Sequence, residues 1–81
     1  MNSPSFSVYS KIGCPFCTKI MKLLEMSEIY YTEYKLGRDF TKEEFYSKFG
    51  TGSTFPRVMV GDQLIGGCSE AVKYLKENNL V

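Results

Sequence analysis

Hydrophobic and polar residues alternate, or recur at helical spacing, in successive short stretches of the chain. Alternation predicts a strand over Ser5–Ser10, with its apolar residues on one face. Apolar side chains three and four residues apart predict a helix over Pro15–Ser27. The stretch Ile29–Leu36 is rich in β-branched and aromatic residues, which is typical of a second strand. A strand, a helix and a strand in close succession predict a βαβ unit with parallel strands.

The second half of the chain predicts a helix and then a β-hairpin. Thr41 and Glu44 have the spacing of a capping box, and the helix that they start is expected to end at Gly50. Two short apolar stretches, Arg57–Val60 and Gln63–Ile65, are separated by a two-residue turn that contains glycine. This arrangement is typical of a hairpin.

A last helix is predicted after the hairpin. Ser69 is its expected cap, and the helix should run to about Asn78 with Ala71, Val72 and Leu75 inward. The predicted order is therefore β-α-β-α-β-β-α. A parallel half followed by a hairpin half gives an α/β fold, with a four-stranded mixed sheet and helices on both faces.

Length and charge narrow the class of protein. With 81 residues, one domain over residues 1–81 is expected, and its core should be thin. The net charge of +1 argues against a nucleic-acid binder that relies on bulk positive charge. Residues 1–8 have no basic stretch before an apolar block, and no apolar run is long enough to cross a bilayer. We expect a cytoplasmic protein without nucleic-acid or membrane partners.

The chain has three cysteines and no histidine. In a reducing compartment, a CxxC pair is more often catalytic or metal-binding than structural. The absence of histidine excludes a Cys/His nucleophile pair and the mixed Cys/His zinc sites. Three sulfur atoms would also leave a zinc ion one protein ligand short, so we predict no metal site.

Two of the cysteines form the motif CPFC, where a helix is predicted to start. Pro15 suits the first helical position, which makes Cys14 the cap residue beside the free N–H groups of the first turn. These groups, the helix dipole and nearby Lys11 favour a thiolate at Cys14, and the thiolate is the nucleophile. Cys17 lies one turn further, within reach of a disulfide. The alternative is a buried, inert cysteine pair, which would have no use for Pro15 at a helix start.

Three motifs together resemble the glutaredoxin family, which has the thioredoxin-like fold. These are CPFC after the first strand, Thr54-Phe55-Pro56 before the third strand, and Gly66-Gly67-Cys68-Ser69 before the last helix. The resemblance covers nearly the whole chain. It implies Cys14 and Cys17 as catalytic residues. The residues that it implies for glutathione are Lys11, Phe16, Thr54, Phe55, Pro56, Gly67, Cys68 and Ser69.

Individual roles follow from the same resemblance. Pro56 should be cis, which would leave the Phe55 backbone free to pair with an extended substrate; the alternative is an ordinary trans proline before an edge strand. The backbone amides of Cys68 and Ser69 should receive the γ-glutamyl carboxylate. Many members carry two acidic residues there, whereas this chain has Ser69 followed by Glu70, which could hold the glutathione ammonium.

Other side chains are less distinctive. Lys11 could pair with the glycyl carboxylate of glutathione, with Arg38 and Lys48 as weaker candidates. Phe16 takes the place of the family's common tyrosine. Cys68 is either a regulatory thiol or, as we favour, a small residue chosen for its fit.

The function that the resemblance implies is glutathione-dependent thiol–disulfide exchange on protein disulfides and glutathione mixed disulfides. Glutathione would be both reductant and co-substrate, the protein a monomer, and ribonucleotide reductase a candidate partner. One alternative is a redoxin reduced by a flavoprotein reductase. Another is a [2Fe–2S] carrier, against which Pro15 argues. A binding module with a vestigial CxxC is the third.

Overall fold

The computed structural model describes residues 5–81, and the predicted order of elements is confirmed there. The elements are β1 (Phe6–Ser10), α1 (Pro15–Met26), β2 (Tyr31–Lys35), α2 (Lys42–Phe49), β3 (Arg57–Val60), β4 (Gln63–Gly66) and α3 (Cys68–Glu77). None of the helices in this part of the chain is both long and apolar enough to cross a membrane.

The four strands form one mixed sheet in the order β2-β1-β3-β4. Strands β1 and β2 are parallel, whereas β3 is antiparallel to both β1 and β4. Tyr9 lies opposite Arg57, and Val58 lies opposite Gly66. The end of β1, the start of β3 and the end of β4 therefore meet at one edge of the sheet, which we call the motif edge.

One face of the sheet carries the aliphatic core. Alternate residues of β1 point to it, and α1 and α3 cover it with the side chains that the helical spacing predicted. Leu23 and Val72 pack partly buried against this core. The buried residues of the core are Phe6, Val8, Ile20, Leu24, Val58, Cys68, Ala71 and Leu75. Their burial removes apolar surface from water and fixes α1 and α3 on the sheet.

The opposite face carries aromatic rings instead. We call this group the aromatic cluster; its members are Tyr9, Tyr34, Phe40, Phe45, Phe49 and Phe55. Phe45 of α2 is its centre, with an exposed fraction of 1%. The Tyr9 and Phe49 ring centroids are 4.9 Å apart, which fixes α2 over β1. Helices thus cover both faces, as predicted.

Two predicted boundaries are wrong by two residues, whereas the others agree with the structure to within one residue. Strand β2 begins at Tyr31 rather than Ile29, because the Ile29 N–H donates to the Leu24 carbonyl and closes the end of α1. The cap of α3 is Gly67 rather than Ser69. The Glu70 carboxylate accepts the Gly67 N–H at 3.0 Å, so the helix begins two residues earlier than its serine suggests.

Candidate active site

The CPFC motif lies between β1 and α1, with the local geometry that the sequence predicted. Cys14 is the N-cap of α1 with extended backbone angles (φ −108°, ψ 101°), and Pro15 is the first helical residue. The Cys17 N–H donates to Cys14 Sγ over 3.2 Å. The sulfur of Cys14 therefore occupies the position of a capping acceptor at the helix N-terminus.

The two cysteines of the motif are joined by a disulfide, with their Cα atoms 5.3 Å apart. Cys14 has an exposed fraction of 8% and Cys17 of 1%, so an incoming thiol reaches Cys14 more readily. The first turn of α1 contains no acidic side chain. Nothing in that turn opposes the preference of a helix N-terminus for negative charge on Cys14.

Two apolar side chains near Cys14 in the sequence are exposed to solvent. Ile12 is 81% exposed and Phe16 is 60% exposed. The nearly buried Cys14 is thus flanked in the sequence by two exposed apolar residues.

The Thr54–Pro56 segment comes directly before β3 at the motif edge. Its Phe55–Pro56 peptide bond is cis, as the resemblance implied. Pro56 is buried, and its carbonyl oxygen would lie 3.6 Å from a methyl group placed on Gly67. The second and third motifs therefore lie next to each other.

Lys11 approaches the Thr54–Pro56 segment from β1. Continuing the β1–β3 register past Tyr9 and Arg57 places Lys11 opposite Phe55. Lys11 Nζ lies 5.4 Å from the centroid of the Phe55 ring, within cation–π distance. Lys11 remains exposed to solvent at the edge where the motifs meet.

The third motif shapes the start of α3. Gly66 has φ 132°, and a methyl group on it would come within 2.8 Å of Glu70 Cβ, so a glycine is required. Ser69 is exposed, one residue after Cys68. Cys68 is the first residue of α3 and is buried in the aliphatic core. Its burial agrees with its interpretation as a residue chosen for fit.

Two further cations considered from the sequence have partners elsewhere. Arg38 forms an ion pair with Asp39 at 2.8 Å and donates to the Glu33 carbonyl oxygen. The hydrogen bond to Asp39 raises the pKa of Arg38 and lowers the pKa of Asp39. Lys48 Nζ lies 5.8 Å from the Phe49 ring. Of the three cations considered for the glycyl carboxylate, Lys11 is the one that the structure places beside the second motif.

The sequence did not predict which ring of the aromatic cluster supports Phe55. The Phe55 ring stacks on Phe45 with centroids 4.1 Å apart and an interplanar angle of 12°. Phe45 and Phe49 are four residues apart, which places them on one side of α2, but this spacing does not show which residue that side contacts. Within residues 5–81, no three histidine, cysteine, aspartate or glutamate side chains are grouped as metal ligands would be.

Comparison with known proteins identifies the same family. The family model Glutaredoxin matches residues 6–65. Glutaredoxin 1 of Rickettsia prowazekii is 31% identical over 75 residues, covering 90% of this chain and 79% of the relative.

Two solved structures share the fold. Glutaredoxin 1 from Francisella tularensis, complexed with cacodylate, superimposes with a TM-score of 0.79 at 24% identity, covering 96% of this chain and 98% of the other. The buckwheat glutaredoxin–glutathione complex gives a TM-score of 0.73 at 26% identity, covering 98% and 74%.

A thioredoxin-like sheet with a CxxC disulfide at the helix that follows its first strand defines a thiol–disulfide oxidoreductase. The chain belongs to the glutaredoxin family. The family and the fold that the sequence predicted are both confirmed.

Proposed function

We propose that this protein is a glutathione-dependent oxidoreductase that reduces protein disulfides and glutathione mixed disulfides. The observation that carries the proposal is the meeting of three motifs at the motif edge. Cys14 caps α1, Phe55 lies under the Lys11 ammonium, and Gly67 lies next to Pro56. The relative of known structure from buckwheat was solved in complex with glutathione, which supports the choice of co-substrate.

The charges of glutathione match the charges around the disulfide. Glutathione carries two carboxylates and one ammonium at neutral pH. Lys11 is the proposed partner of the glycyl carboxylate, since it is exposed and has no carboxylate partner within residues 5–81. The N–H groups of Cys68 and Ser69, in the first turn of α3, are the proposed partners of the γ-glutamyl carboxylate. The cysteinyl part would then lie along Thr54–Pro56, with the Phe16 ring on the solvent side.

Glu70 is the proposed partner of the glutathione ammonium. Its Oε1 accepts the Gly67 N–H at 3.0 Å, which fixes the carboxylate at the start of α3. Its other oxygen makes no hydrogen bond to residues 5–81. A second acidic residue at the position of Ser69 is therefore not needed to supply a carboxylate there.

Removal of glutathione from a mixed disulfide needs Cys14 alone. The Cys14 thiolate attacks the glutathionyl sulfur, and the protein thiolate leaves with the electron pair of the broken S–S bond. A second glutathione thiolate attacks the same glutathionyl sulfur, which releases Cys14 and forms glutathione disulfide. The Cys17 N–H, 3.2 Å from Cys14 Sγ, stabilises the thiolate that forms at both ends of this cycle.

Reduction of a protein disulfide uses both cysteines. Cys14 attacks one sulfur, and a mixed disulfide with the substrate forms as the first substrate thiolate leaves. Cys17 then attacks Cys14 Sγ and releases the second substrate thiolate, which leaves the disulfide state that the structure describes. Two glutathiones restore the dithiol. Reduction potentials of this class are roughly −200 to −230 mV, within reach of the glutathione pool.

The proposed setting follows from this chemistry. Residues 1–81 would work as one monomeric domain in the cytoplasm, where glutathione keeps thiols reduced. Disulfide-bearing proteins are the proposed partners, with ribonucleotide reductase as one candidate. An extended substrate segment would lie against the backbone of Phe55.

A comparison of two electron donors tests this proposal directly. Reduction of a protein disulfide would be followed with NADPH, either with glutathione and glutathione reductase or with a thioredoxin reductase. We expect turnover with the glutathione system and at least tenfold less with thioredoxin reductase. The reverse preference would contradict the proposal and favour a redoxin served by a flavoprotein. As a control, the variant Lys48→Gln removes a lysine from α2 and should keep the same preference for the electron donor.

A further inference from the structure

The side chain of Phe55 contacts Lys11 at the motif edge. Lys11 Nζ lies 5.4 Å from the Phe55 ring centroid. Lysine side chains that are exposed sample many rotamers, so a contact of this kind restricts where the charge is found. Within residues 5–81, Lys11 has no carboxylate partner that could do the same.

The Phe55 ring, which contacts Lys11, is held in place by two other rings of the aromatic cluster. Phe55 stacks on Phe45 with centroids 4.1 Å apart, and the Phe45 ring is 1% exposed. Phe40 adds a third nearly parallel ring, 6.2 Å from Phe55 with an interplanar angle of 18°. A ring fixed on a buried neighbour keeps one orientation, so its π face is a stationary partner for the ammonium.

The position of this contact gives it a chemical consequence. Lys11 is three residues before Cys14, and Phe55 precedes Pro56 at the motif edge. A positive charge held at this edge attracts a carboxylate that approaches the cysteines. A leucine at position 55 would keep most of the apolar bulk but offer no π face.

We infer that Phe55 is a positioning residue that holds the Lys11 ammonium at the motif edge and so selects anionic over neutral co-substrates that react at Cys14. Phe45 supports it by fixing the ring. The inference deepens the proposed function, since glutathione would be the anion selected, but it depends on glutathione only for the identity of that anion. A contact of this exposed kind corresponds to about a two- to fivefold effect.

The test compares two alkylating reagents of nearly equal size on reduced protein. Iodoacetate carries a carboxylate and iodoacetamide is neutral; both lose iodide to the attacking thiolate. Rates would be read by mass spectrometry on the peptide that contains Cys14, in a Cys17→Ser background so that this peptide has one cysteine. The measured quantity is the ratio of the iodoacetate rate constant to the iodoacetamide rate constant.

We expect Phe55→Leu to lower this ratio about two- to fivefold, and Phe55→Tyr, which keeps the ring, to preserve it. Lys11→Gln should lower it at least as much, and adding Phe55→Leu to Lys11→Gln should lower it no further. Lys48→Gln is the matched control, because Lys48 also lies near a phenylalanine ring, 5.8 Å away, and should leave the ratio unchanged.

The inference is overturned if Phe55→Leu leaves the ratio unchanged while Lys11→Gln lowers it, or if neither variant changes it. It is also overturned if the leucine variant lowers the ratio further in the absence of Lys11. Thermal unfolding of each variant shows whether the fold is kept, and Phe55→Tyr separates loss of the ring from loss of packing.

A second measurement separates this inference from the proposed function. In a glutathione-coupled assay, Phe55→Leu should raise KM for a glutathione mixed disulfide about two- to fivefold with kcat little changed. A wild-type protein that is inactive with glutathione would contradict the proposed function, whereas the alkylation ratio would still decide the role of Phe55.

Discussion

The Cys17 N–H donates to Cys14 Sγ over 3.2 Å, so the sulfur nearest to solvent is also the capping acceptor of α1. Capping by a charged acceptor is stronger than capping by a neutral one. The same contact that starts the helix thus favours the thiolate that attacks a substrate. Pro15, which starts the helix, thus also places Cys14 where its thiolate is stabilised.

A negative charge added to the first turn of α1 should weaken this effect. Phe16→Asp places a carboxylate beside Cys14, in a turn that has no acidic residue. Cys14 should then hold its proton more strongly, and the midpoint of its pH profile of iodoacetamide alkylation should rise by roughly 0.5 pH units or more. Phe16→Asn is the matched control, since it removes the same ring without adding charge. Equal midpoints in the two variants would contradict the electrostatic account.

The start of α3 can be tested by comparing two neighbouring residues. Glu70 accepts the Gly67 N–H, whereas Gly67 rather than Ser69 is the cap. Glu70→Ala should lower the free energy of unfolding by about 0.5–1 kcal/mol, and Ser69→Ala should change it by less than about 0.5 kcal/mol. Urea unfolding measures both. A larger loss with Ser69→Ala than with Glu70→Ala would show that the serine caps the helix after all.

Cys68 is predicted to serve packing rather than redox chemistry. It is buried against the aliphatic core at the start of α3. Cys68→Ala should keep the rate of glutathione-coupled turnover within about twofold and cost about 1 kcal/mol of unfolding free energy, through the lost apolar volume. In the folded wild-type protein, Cys68 should react with iodoacetamide more slowly than reduced Cys14. Rapid modification of Cys68 would favour a regulatory thiol.

Tyr31 should titrate well above an ordinary tyrosine. Burial, then its hydrogen bond to the Glu25 carboxylate and the charge of that group, raise the pKa of Tyr31 to about 12. The folded state therefore binds this proton more tightly than the unfolded state. Its contribution to stability is complete below about pH 10 and is lost as the pH rises towards 12.

Tyrosinate absorbance as a function of pH measures this titration. Glu25→Gln should move the Tyr31 midpoint down, and Tyr31→Phe should remove the component near pH 12 from the titration of the six tyrosines. Burial also raises the pKa of Tyr9, and that component should stay in both variants. A component near pH 12 that persists in Tyr31→Phe would assign the shift to another tyrosine.

Local sequence signals predicted most of the fold. The capping box of Thr41 and Glu44 is present with both of its hydrogen bonds, and Pro15 begins α1 as its fixed φ favours. The start of β2 and the cap of α3 were predicted wrongly, and in both places two local signals competed. Ser69 is a common cap residue, but the Glu70 carboxylate lies where it can hold the Gly67 N–H. Ile29 favours a strand but is used to end α1.

The contacts that hold Phe55 and Lys11 at the motif edge could not be predicted from local signals. The contacts of Phe55 with Lys11 and Phe45 join segments that are distant along the chain. They depend on the register of β3 against β1 and on the face of the sheet that α2 covers. Neither is fixed by periodicity, since a one-residue slip would turn the Phe55 side chain to the opposite face. The motifs located the cysteines, whereas the tertiary structure showed which cation contacts Phe55 and which ring supports it.

The most direct test of the central claim is a glutathione-coupled assay on a small glutathione mixed disulfide, with glutathione reductase and NADPH. Wild type, Cys14→Ser and Cys17→Ser would be measured side by side. We predict turnover by wild type, loss of at least a thousandfold in Cys14→Ser, and retained activity in Cys17→Ser, because Cys14 alone exchanges the glutathionyl group. Retained activity in Cys14→Ser, or loss only in Cys17→Ser, would contradict the assignment of Cys14 as nucleophile.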